Sequence, residues 1–243
     1  VRGRLKGSDR IRDFRLLKTR MEGQTLNYFA ALVNADGIDG FTISGSGTID
    51  GNGYHYWEEF WYRRMYNPQC TNLEAMRPRL VYISNSTDVT VQDVHLVNSP
   101  FWTNHLYRCR RVRYLDCHIQ APVKGIIPPG DVKEHGAPSS DAIDLDDCHD
   151  VLISGCYMQV NDDAVHVWNI ILRDITFADA NRVLWLKMRP DTPQHYERIR
   201  VENVSGTCGS FLVIRPWRQF YNPGNRPDMP VSRCHDIDIR NIS

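Results

Sequence analysis

The stretch LVYISNSTDVTVQDVHLV, residues 80–97, contains two short runs of alternating β-branched and polar residues with a polar break between them. Runs of the same kind recur as VRYLDCHIQ from Val112, VLISGCYMQV from Val151, IRVENVSG from Ile199 and IDIRNIS from Ile237. Alternation over this length predicts strands, and helical periodicity is nearly absent. A repeat of roughly 20 to 40 residues made only of short strands indicates a solenoid. We therefore predict an all-β chain folded as a parallel β-helix.

The repeat has a fixed internal spacing: an apolar residue, a second one two positions later and a third five positions later. The residues that fit it are Val89, Val91 and Val94; Val112, Tyr114 and Cys117; Val151, Ile153 and Cys156; Ile199, Val201 and Val204; and Ile237, Ile239 and Ile242. Successive coils lie about 4.8 Å apart, so equivalent positions become neighbours. Cys109 and Cys148 share one phase, as do Cys117 and Cys156, and we expect both pairs to stack as buried thiols without bridging.

The composition narrows the class of protein. The 243 residues carry 29 basic and 29 acidic side chains, which argues against a dedicated nucleic-acid-binding protein. No apolar run reaches the length of a membrane span, and the start VRGRLKGSDR lacks the apolar stretch of a signal peptide. No Cys/His group has zinc-finger spacing. We expect one monomeric β-helical domain over residues 1–243, with no membrane span, metal or other cofactor, and with any export signal already removed.

Insertions interrupt the repeat. KGIIPPGDVKEHGAPSS, residues 124–140, and RPWRQFYNPGNRPDMPVS, residues 215–232, are rich in Pro, Gly and charge, and such insertions usually line the working face of a solenoid. The aromatic stretch from Tyr54 to Tyr66 is a third insertion. Its residues Trp57 and Trp61 can stack on sugar rings or anchor the insertion to the coil, and the sequence leaves both readings open.

The register contains an irregularity near residue 168. Six residues separate Leu145 from Val151, but only three separate Val167 from Ile170. This spacing leaves no room for the turn between two strands. We interpret it as a coil missing between Val167 and Asn169, and we interpret the abrupt start and end of the sequence as truncation of the β-helix.

Carboxylates cluster at two places, in SSDAIDLDD, residues 139–147, and in NDD, residues 161–163. Asp141 and Asp162 are 21 residues apart, about one coil, so a β-helix places them on adjacent coils. Carboxylates held close together repel, which raises at least one pKa. Glycoside hydrolysis needs such a pair, one acid for the leaving oxygen and one base for water. We predict a catalytic role for Asp141, Asp162 and Asp163, and solvated turns for Asp144, Asp146 and Asp147.

Several motifs together resemble glycoside hydrolase family 28, the polygalacturonase family of pectin-degrading enzymes. GSGTIDGNGYHYW resembles the family's G-x-I-D-G-x-G segment, and LVNSPFWTNHLYRCRRV resembles its N-S-P-x-W…H…C…V coil. SSDAID stands where the family has N-T-D-G-I-D, NDDAVHV where it has G-D-D-C, and VLWLKMRP where it has R-I-K. The resemblance implies a right-handed parallel β-helix over about residues 40–205 and an inverting hydrolase.

The resemblance also implies roles for single residues. Asp162 matches the general acid, and Asp141 and Asp163 match the pair that holds and activates water. An inverting mechanism requires carboxyl groups roughly 6.5 to 9.5 Å apart. Lys187 matches the lysine that contacts the sugar carboxylate, and Trp185 stands where the family has arginine, which exchanges a charge for a stacking platform.

Two further substrate-binding candidates are less specific. Arg189, two residues after Lys187, can add a bidentate contact from the same strand face. His105 sits at the phase of the family's histidine, but a histidine near Trp102 and Tyr107 is also typical of a packed core position. The family's G-H-G histidine is absent, and it belongs in the coil that we interpret as missing.

These observations favour a secreted or periplasmic hydrolase acting on galacturonate-containing pectic polysaccharide or oligosaccharide, with exo action on α-linked galacturonic acid suggested by the bulk of the insertions. A rhamnogalacturonan hydrolase on the same fold is an alternative. A pectate lyase would use an arginine base and calcium held by the Asp cluster. A non-catalytic carbohydrate-binding β-helix is the third alternative.

Overall fold

A computed structural model describes residues 1–166, 170–188, 195–216 and 231–243. Within these ranges the chain winds as a right-handed parallel β-helix, whose coils form one 17-stranded sheet. The predicted fold class is confirmed. No helix in the described ranges is both long enough and apolar enough to cross a membrane.

The first thirty residues precede the regular coils. They form strand β1 (Arg4–Lys6), a 3-10 turn (Ile11–Asp13) and a hairpin of strands β2 (Leu16–Met21) and β3 (Gln24–Phe29). The hairpin strands pair antiparallel, Leu16 with Phe29 and Met21 with Gln24. The hairpin therefore lies outside the coil stack.

The coils follow in chain order, most of them with three short strands. The first four contain β4 (Val33–Asp36), β5 (Thr42–Ser44), β6 (Thr48–Asp50); β7 (Val81–Ser84), β8 (Thr90–Gln92), β9 (His95–Val97); β10 (Asn104–Tyr107), β11 (Arg110–Leu115), β12 (His118–Gln120); and β13 (Ile143–Asp146), β14 (His149–Ser154), β15 (Tyr157–Gln159). The later coils contain β16 (Asp163–His166), β17 (Ile170–Met188), β18 (His195–Tyr196), β19 (Ile199–Pro216), β20 (Arg233–Cys234) and β21 (Ile237–Ile242). Strand β17 is long because it pairs in turn with β14, β15 and β16.

The predicted repeat positions are register partners. Val112 pairs with Val151, Val151 with Ile170, and Ile199 with Ile237. A buried apolar column runs through the coil interior at the next inward position. Its members, in order along the stack, are Ile43, Val91, Tyr114, Ile153, Leu172 and Val201.

One corner of the coil explains the polar break in every repeat. Gly45, Asp93, Asp116, Gly155, Asp174, Asn203 and Asn241 occupy equivalent corner positions, and all have positive φ. Glycine, asparagine and aspartate adopt this left-handed conformation at the lowest cost. The corner residues therefore mark where each strand turns.

The aromatic insertion forms helix α1 (Tyr54–Tyr66). Trp57 is buried, and its indole Nε1 donates to the Ser99 carbonyl at 3.1 Å. Trp61 stacks on His135 at 4.4 Å and donates to the Gly136 carbonyl at 2.8 Å. Both tryptophans thus anchor the helix, Trp57 to the coil and Trp61 to the 124–140 insertion.

The cysteine prediction is confirmed for both pairs, since all four thiols are free and buried. The Cys109 amide donates to Cys148 Sγ at 3.4 Å. Cys117 and Cys156 are stacked on each other at the next corner of the coil. Stacked thiols fill the interior without cross-linking the coils.

The interpreted break between Val167 and Asn169 lies outside the described residues. On its two sides, Val165 pairs with Ile143 and Ile170 pairs with Val151. Five positions therefore separate Val165 from Ile170 in the sequence, where eight separate their register partners Ile143 and Val151. The missing coil stays a prediction.

Candidate active site

The three predicted catalytic carboxylates meet on neighbouring coils. Asp141 directly follows the 124–140 insertion and precedes β13, and Asp162 and Asp163 begin the next coil at β16. The Asp163 amide donates to Asp141 Oδ1 at 3.2 Å, and the Ala142 amide donates to the Asp163 carbonyl at 3.0 Å. One oxygen of each carboxylate lies within 4.8 Å of the others. The stacking of neighbouring coils places them side by side.

Two carboxylates of the cluster are buried and the third is partly exposed. Asp141 and Asp163 are 3% and 2% exposed. The side chain of Asp162 is 32% exposed. A substrate can therefore reach the Asp162 carboxyl directly, whereas the other two carboxylates lie behind it.

Two cations balance this negative charge. Lys187 Nζ lies 3.1 Å from Asp163 Oδ2. Arg182 Nη1 lies 2.7 Å from Asp163 Oδ1 and 3.4 Å from Asp162 Oδ1. Both side chains are about one-fifth exposed, at 21% and 20%. The predicted contribution of Lys187 to the site thus includes an ion pair with Asp163.

Asp141 and Asp162 hold protons more tightly than isolated carboxyl groups do. Burial, and secondarily the charge of Asp163, raise the pKa of Asp162 to about 6, against the opposing effect of Lys187 and Arg182. Burial and the charge of Asp162 raise the pKa of Asp141 well above its usual range. Burial alone would lower the pKa of Lys187, but the surrounding carboxylates raise it. The site can therefore donate a proton at mildly acidic pH.

The oxygen spacing differs from the expectation for an inverting enzyme. The three oxygens within 4.8 Å are closer than the roughly 6.5 to 9.5 Å expected for that mechanism. The guanidinium of Arg182 and the ammonium of Lys187 reduce the repulsion that would otherwise separate the carboxylates. Carboxylate oxygens this close could also hold a cation, but the two protein cations already contact Asp163.

The interpretation of Asp144 as a solvated turn residue is wrong. Asp144 is 8% exposed, and its Oδ2 has no hydrogen-bond partner among the described residues. Burial raises the pKa of this carboxyl well above its usual range. Asp146 and Asp147 are more exposed and pair with Arg20 and Arg108. The site therefore contains a fourth acidic group that sequence reasoning missed.

Trp185 does not offer a stacking platform for sugar. The residue is 4% exposed, and the Arg182 guanidinium lies over its ring at 4.0 Å. Lys187 Nζ and the Arg215 guanidinium lie 4.6 and 5.0 Å from the ring centroid. The ring contacts cations through cation–π interactions, so its binding role would be indirect.

The remaining substrate-binding candidates are Arg189 and His105. Arg189 is outside the described residues. His105 is 2% exposed and packs between Tyr82 and Trp102, with ring centroids at 5.2 and 4.9 Å. Arg79 Nη1 lies 2.6 Å from His105 Nδ1, so this nitrogen accepts and the ring is neutral. A substrate contact by His105 stays a prediction.

Arg182 was the other residue that sequence reasoning missed. It is the register partner of Asp163 one coil later. That register relation was the available signal, but the interpretation of a coil missing between Val167 and Asn169 separated Arg182 from Asp163 by one further coil.

The fold and the acidic cluster define a β-helical protein with the groups of a glycosidase. Two solved structures share the fold: the hyperthermoactive exopolygalacturonase from Thermotoga maritima, at TM-score 0.67 and 17% identity over 99% of this chain and 67% of that one, and the polygalacturonase from Erwinia carotovora ssp. carotovora, at TM-score 0.63 and 18% identity over 98% and 61%. At these identities the likeness concerns the fold.

The sequence profile described as "Glycosyl hydrolases family 28" matches residues 14–179, and the chain belongs to this family. A "Probable polygalacturonase" of Vitis vinifera is 29% identical over 57% of this chain and 24% of its own length. A "Probable exopolygalacturonase B" of Aspergillus flavus is 28% identical over 82% of this chain and 44% of its own length. The chain thus spans less than half the length of these relatives.

Proposed function

We propose that this protein is a glycoside hydrolase that releases galacturonic acid from the ends of α-linked pectic chains with inversion of configuration. The observation that carries this proposal is the cluster of Asp141, Asp162 and Asp163 beside Lys187, held by adjacent coils of a family 28 β-helix. Its relatives named polygalacturonase and exopolygalacturonase support the substrate class.

Asp162 suits the general acid because it combines exposure with a raised pKa of about 6. A carboxyl that is protonated at mildly acidic pH can protonate the leaving oxygen. Asp163, fixed between Arg182 and Lys187, suits a carboxylate that orients water together with Asp141. Lys187 would also attract the carboxylate of the sugar.

The burial of Asp141 and Asp163 supports an inverting mechanism, although the distances between the carboxylate oxygens do not. The spacing alone suits a retaining enzyme, in which carboxyl groups about 5 to 5.5 Å apart act as acid and nucleophile. A nucleophile must touch the anomeric carbon, however, and Asp141 and Asp163 are at most 3% exposed. A water molecule is small enough to reach them, so water is the better candidate for the attacking group.

Exo action is supported by a wall beside the cluster. The hairpin β2–β3 is tied to the coil because Arg20 Nε lies 2.7 Å from Asp146 Oδ2. Asn72 links three segments: it donates to Glu22 of the hairpin turn at 3.1 Å and accepts from Ser139 of the 124–140 insertion at 3.3 Å. These contacts join the hairpin, the 67–80 segment and the insertion. The second predicted wall, residues 215–232, is largely outside the described residues.

Product analysis tests the proposal. With polygalacturonate as substrate, we expect reducing ends to appear with one small product, and the first-formed anomer, observed by proton NMR, to be β. A ladder of oligomers would contradict exo action, and an initial α anomer would contradict inversion. No release of reducing ends would contradict the hydrolase itself.

The same assay separates the alternatives. Unsaturated products detected by ultraviolet absorbance and abolished by a chelator would indicate a lyase. Turnover of rhamnogalacturonan in place of polygalacturonate would indicate the related hydrolase, which the presence of Ser139 beside the cluster keeps open. We also propose a monomeric protein, secreted or periplasmic, because a polymeric substrate is met outside the cytoplasm.

A further inference from the structure

Arg182 is the described residue that joins the accessible and the buried carboxylates. Its Nη1 contacts Asp163 Oδ1 at 2.7 Å and Asp162 Oδ1 at 3.4 Å. Lys187 contacts Asp163 from the other side, at Oδ2. One guanidinium nitrogen therefore sets the relative position of the two carboxylates that the proposed reaction assigns to acid and water.

Arg182 is itself held in place. Its guanidinium lies 4.0 Å over the ring of Trp185, which is 4% exposed and three residues further along β17. Stacking on a buried ring restricts the side chain to few rotamers, so little entropy is lost when it orients a carboxylate. Trp185 thus contributes to the site through Arg182.

The charge balance of the cluster depends on this residue. Among the described residues, the charged groups facing Asp162 and Asp163 are Asp141 and Asp144 from the preceding coil and Arg182 and Lys187 from β17. Further out, Glu22 acts on Asp144, Arg77 acts on Asp141, and Arg215 lies over the ring of Trp185. Arg182 and Lys187 are the described cations within 4 Å of a cluster carboxylate, so loss of Arg182 leaves Lys187 as the close cation in the described part of the chain.

We propose that Arg182 is a positioning residue of the proposed hydrolase: it orients Asp163 for water activation and holds Asp162 where it can protonate the leaving group. This inference rests on the proposed function. It assigns a role to a residue that matches none of the family motifs in this sequence.

The proposal predicts a pH effect with a definite sign. A nearby cation lowers a carboxyl pKa, and Arg182 does so for Asp162. Removing it therefore raises the pKa of Asp162. Asp162 then stays protonated to higher pH, which moves the alkaline limb of the kcat/KM profile up.

The experiment compares Arg182→Ala, Arg182→Lys and the control Arg173→Ala, an exposed arginine on the same strand. Each variant is assayed for kcat and KM on polygalacturonate across pH, with thermal unfolding measured in parallel. We expect Arg182→Ala to lose about 100-fold in kcat, because a misplacement of about 1 Å can cost that much. We expect the alkaline limb of the kcat/KM profile to move up by about one pH unit.

Rescue separates positioning from a merely structural role. Arg182→Lys should keep the wild-type pH limbs, and added guanidinium chloride at millimolar concentration should restore part of the kcat of Arg182→Ala. An unshifted alkaline limb in a folded Arg182→Ala protein would overturn the proposal, as would a kcat equal to that of Arg173→Ala. An inactive wild type would instead contradict the proposed function, so the two failures are distinguishable.

Discussion

The interior column of the β-helix and the acidic cluster on its outer face are built by the same stacking but collect opposite chemistry. Inside, Ile153, Leu172 and Val201 lie on successive coils and are fully or almost fully buried. Outside, Asp141 and Asp163 lie on adjacent coils in the same way and bring like charges together. Stacking stabilises the first column through burial, whereas the second depends on protons and cations.

The largest effect is expected in the outer cluster. Replacing Asp162 with Asn removes the exposed acid while preserving its shape, so turnover of polygalacturonate should fall by about 10²- to 10⁴-fold. The denaturation midpoint should not decrease, because the substitution removes a charge from a repelling group. Reducing-end release and thermal unfolding measure the two effects.

Asp147→Asn is the matched control, since its side chain is 57% exposed and pairs with Arg108 at the coil edge. We expect wild-type turnover from it. Equal losses in both variants would remove the functional distinction between the cluster and an ordinary surface aspartate.

The interior column should respond in stability alone. Leu172→Ala leaves a cavity between Ile153 and Val201, and a buried Leu→Ala change costs about 2–5 kcal/mol of unfolding free energy. Ile171→Ala, at the adjacent position that is 39% exposed, should cost much less. Urea unfolding gives both values. The activity per folded molecule should be unchanged. A lower kcat in fully folded Leu172→Ala protein would show that the interior column also affects catalysis.

Lys187 should affect the turnover of charged substrates more than that of neutral ones. Lys187→Met removes an ammonium that can pair with a sugar carboxylate, a charge-assisted bond whose loss corresponds to about 10- to 100-fold in kcat/KM. The loss should be smaller on methyl-esterified pectin, where that carboxylate is absent. Equal losses on both substrates would assign Lys187 solely to its ion pair with Asp163.

The smallest effect is expected at Asp144, the buried acid without a partner for Oδ2 among the described residues. Its raised pKa means that the native state binds more protons than the unfolded state, so its contribution to stability falls as pH rises above about 4. Asp144→Asn removes this penalty. The Tm should rise at pH 8, by about 2–4 °C for each kcal/mol regained, and stay unchanged at pH 4. A pH-independent difference would contradict the assignment.

The interior column could be predicted from sequence because an apolar interior imposes its spacing on the chain. Val112, Val151 and Ile199 are visible as a repeat, and the same spacing placed Asp162 one coil from Asp141. The family motifs then added roles for these residues and for Lys187.

The rest of the site depends on contacts that no local pattern records. Asp144 points outward from the coil, and an aspartate at such a position is usually solvated. Here it is buried beside the hairpin. Arg20 of the hairpin pairs with Asp146, the next outward residue of β13. Arg182 reaches Asp162 and Asp163 from the next coil, a contact that depends on the pairing of β16 with β17. Trp185 looked like a sugar platform because its neighbours in space were unknown.

The central claim is that coil stacking forces these carboxylates together and thereby changes their proton affinity. Carbon NMR of the side-chain carboxyls, assigned to Asp162 by its loss in Asp162→Asn, measures this directly. The expected titration midpoint for Asp162 is about 6. A midpoint near the ordinary aspartate value of about 3.9 would contradict the account, because the cluster would then neither share protons nor provide an acid.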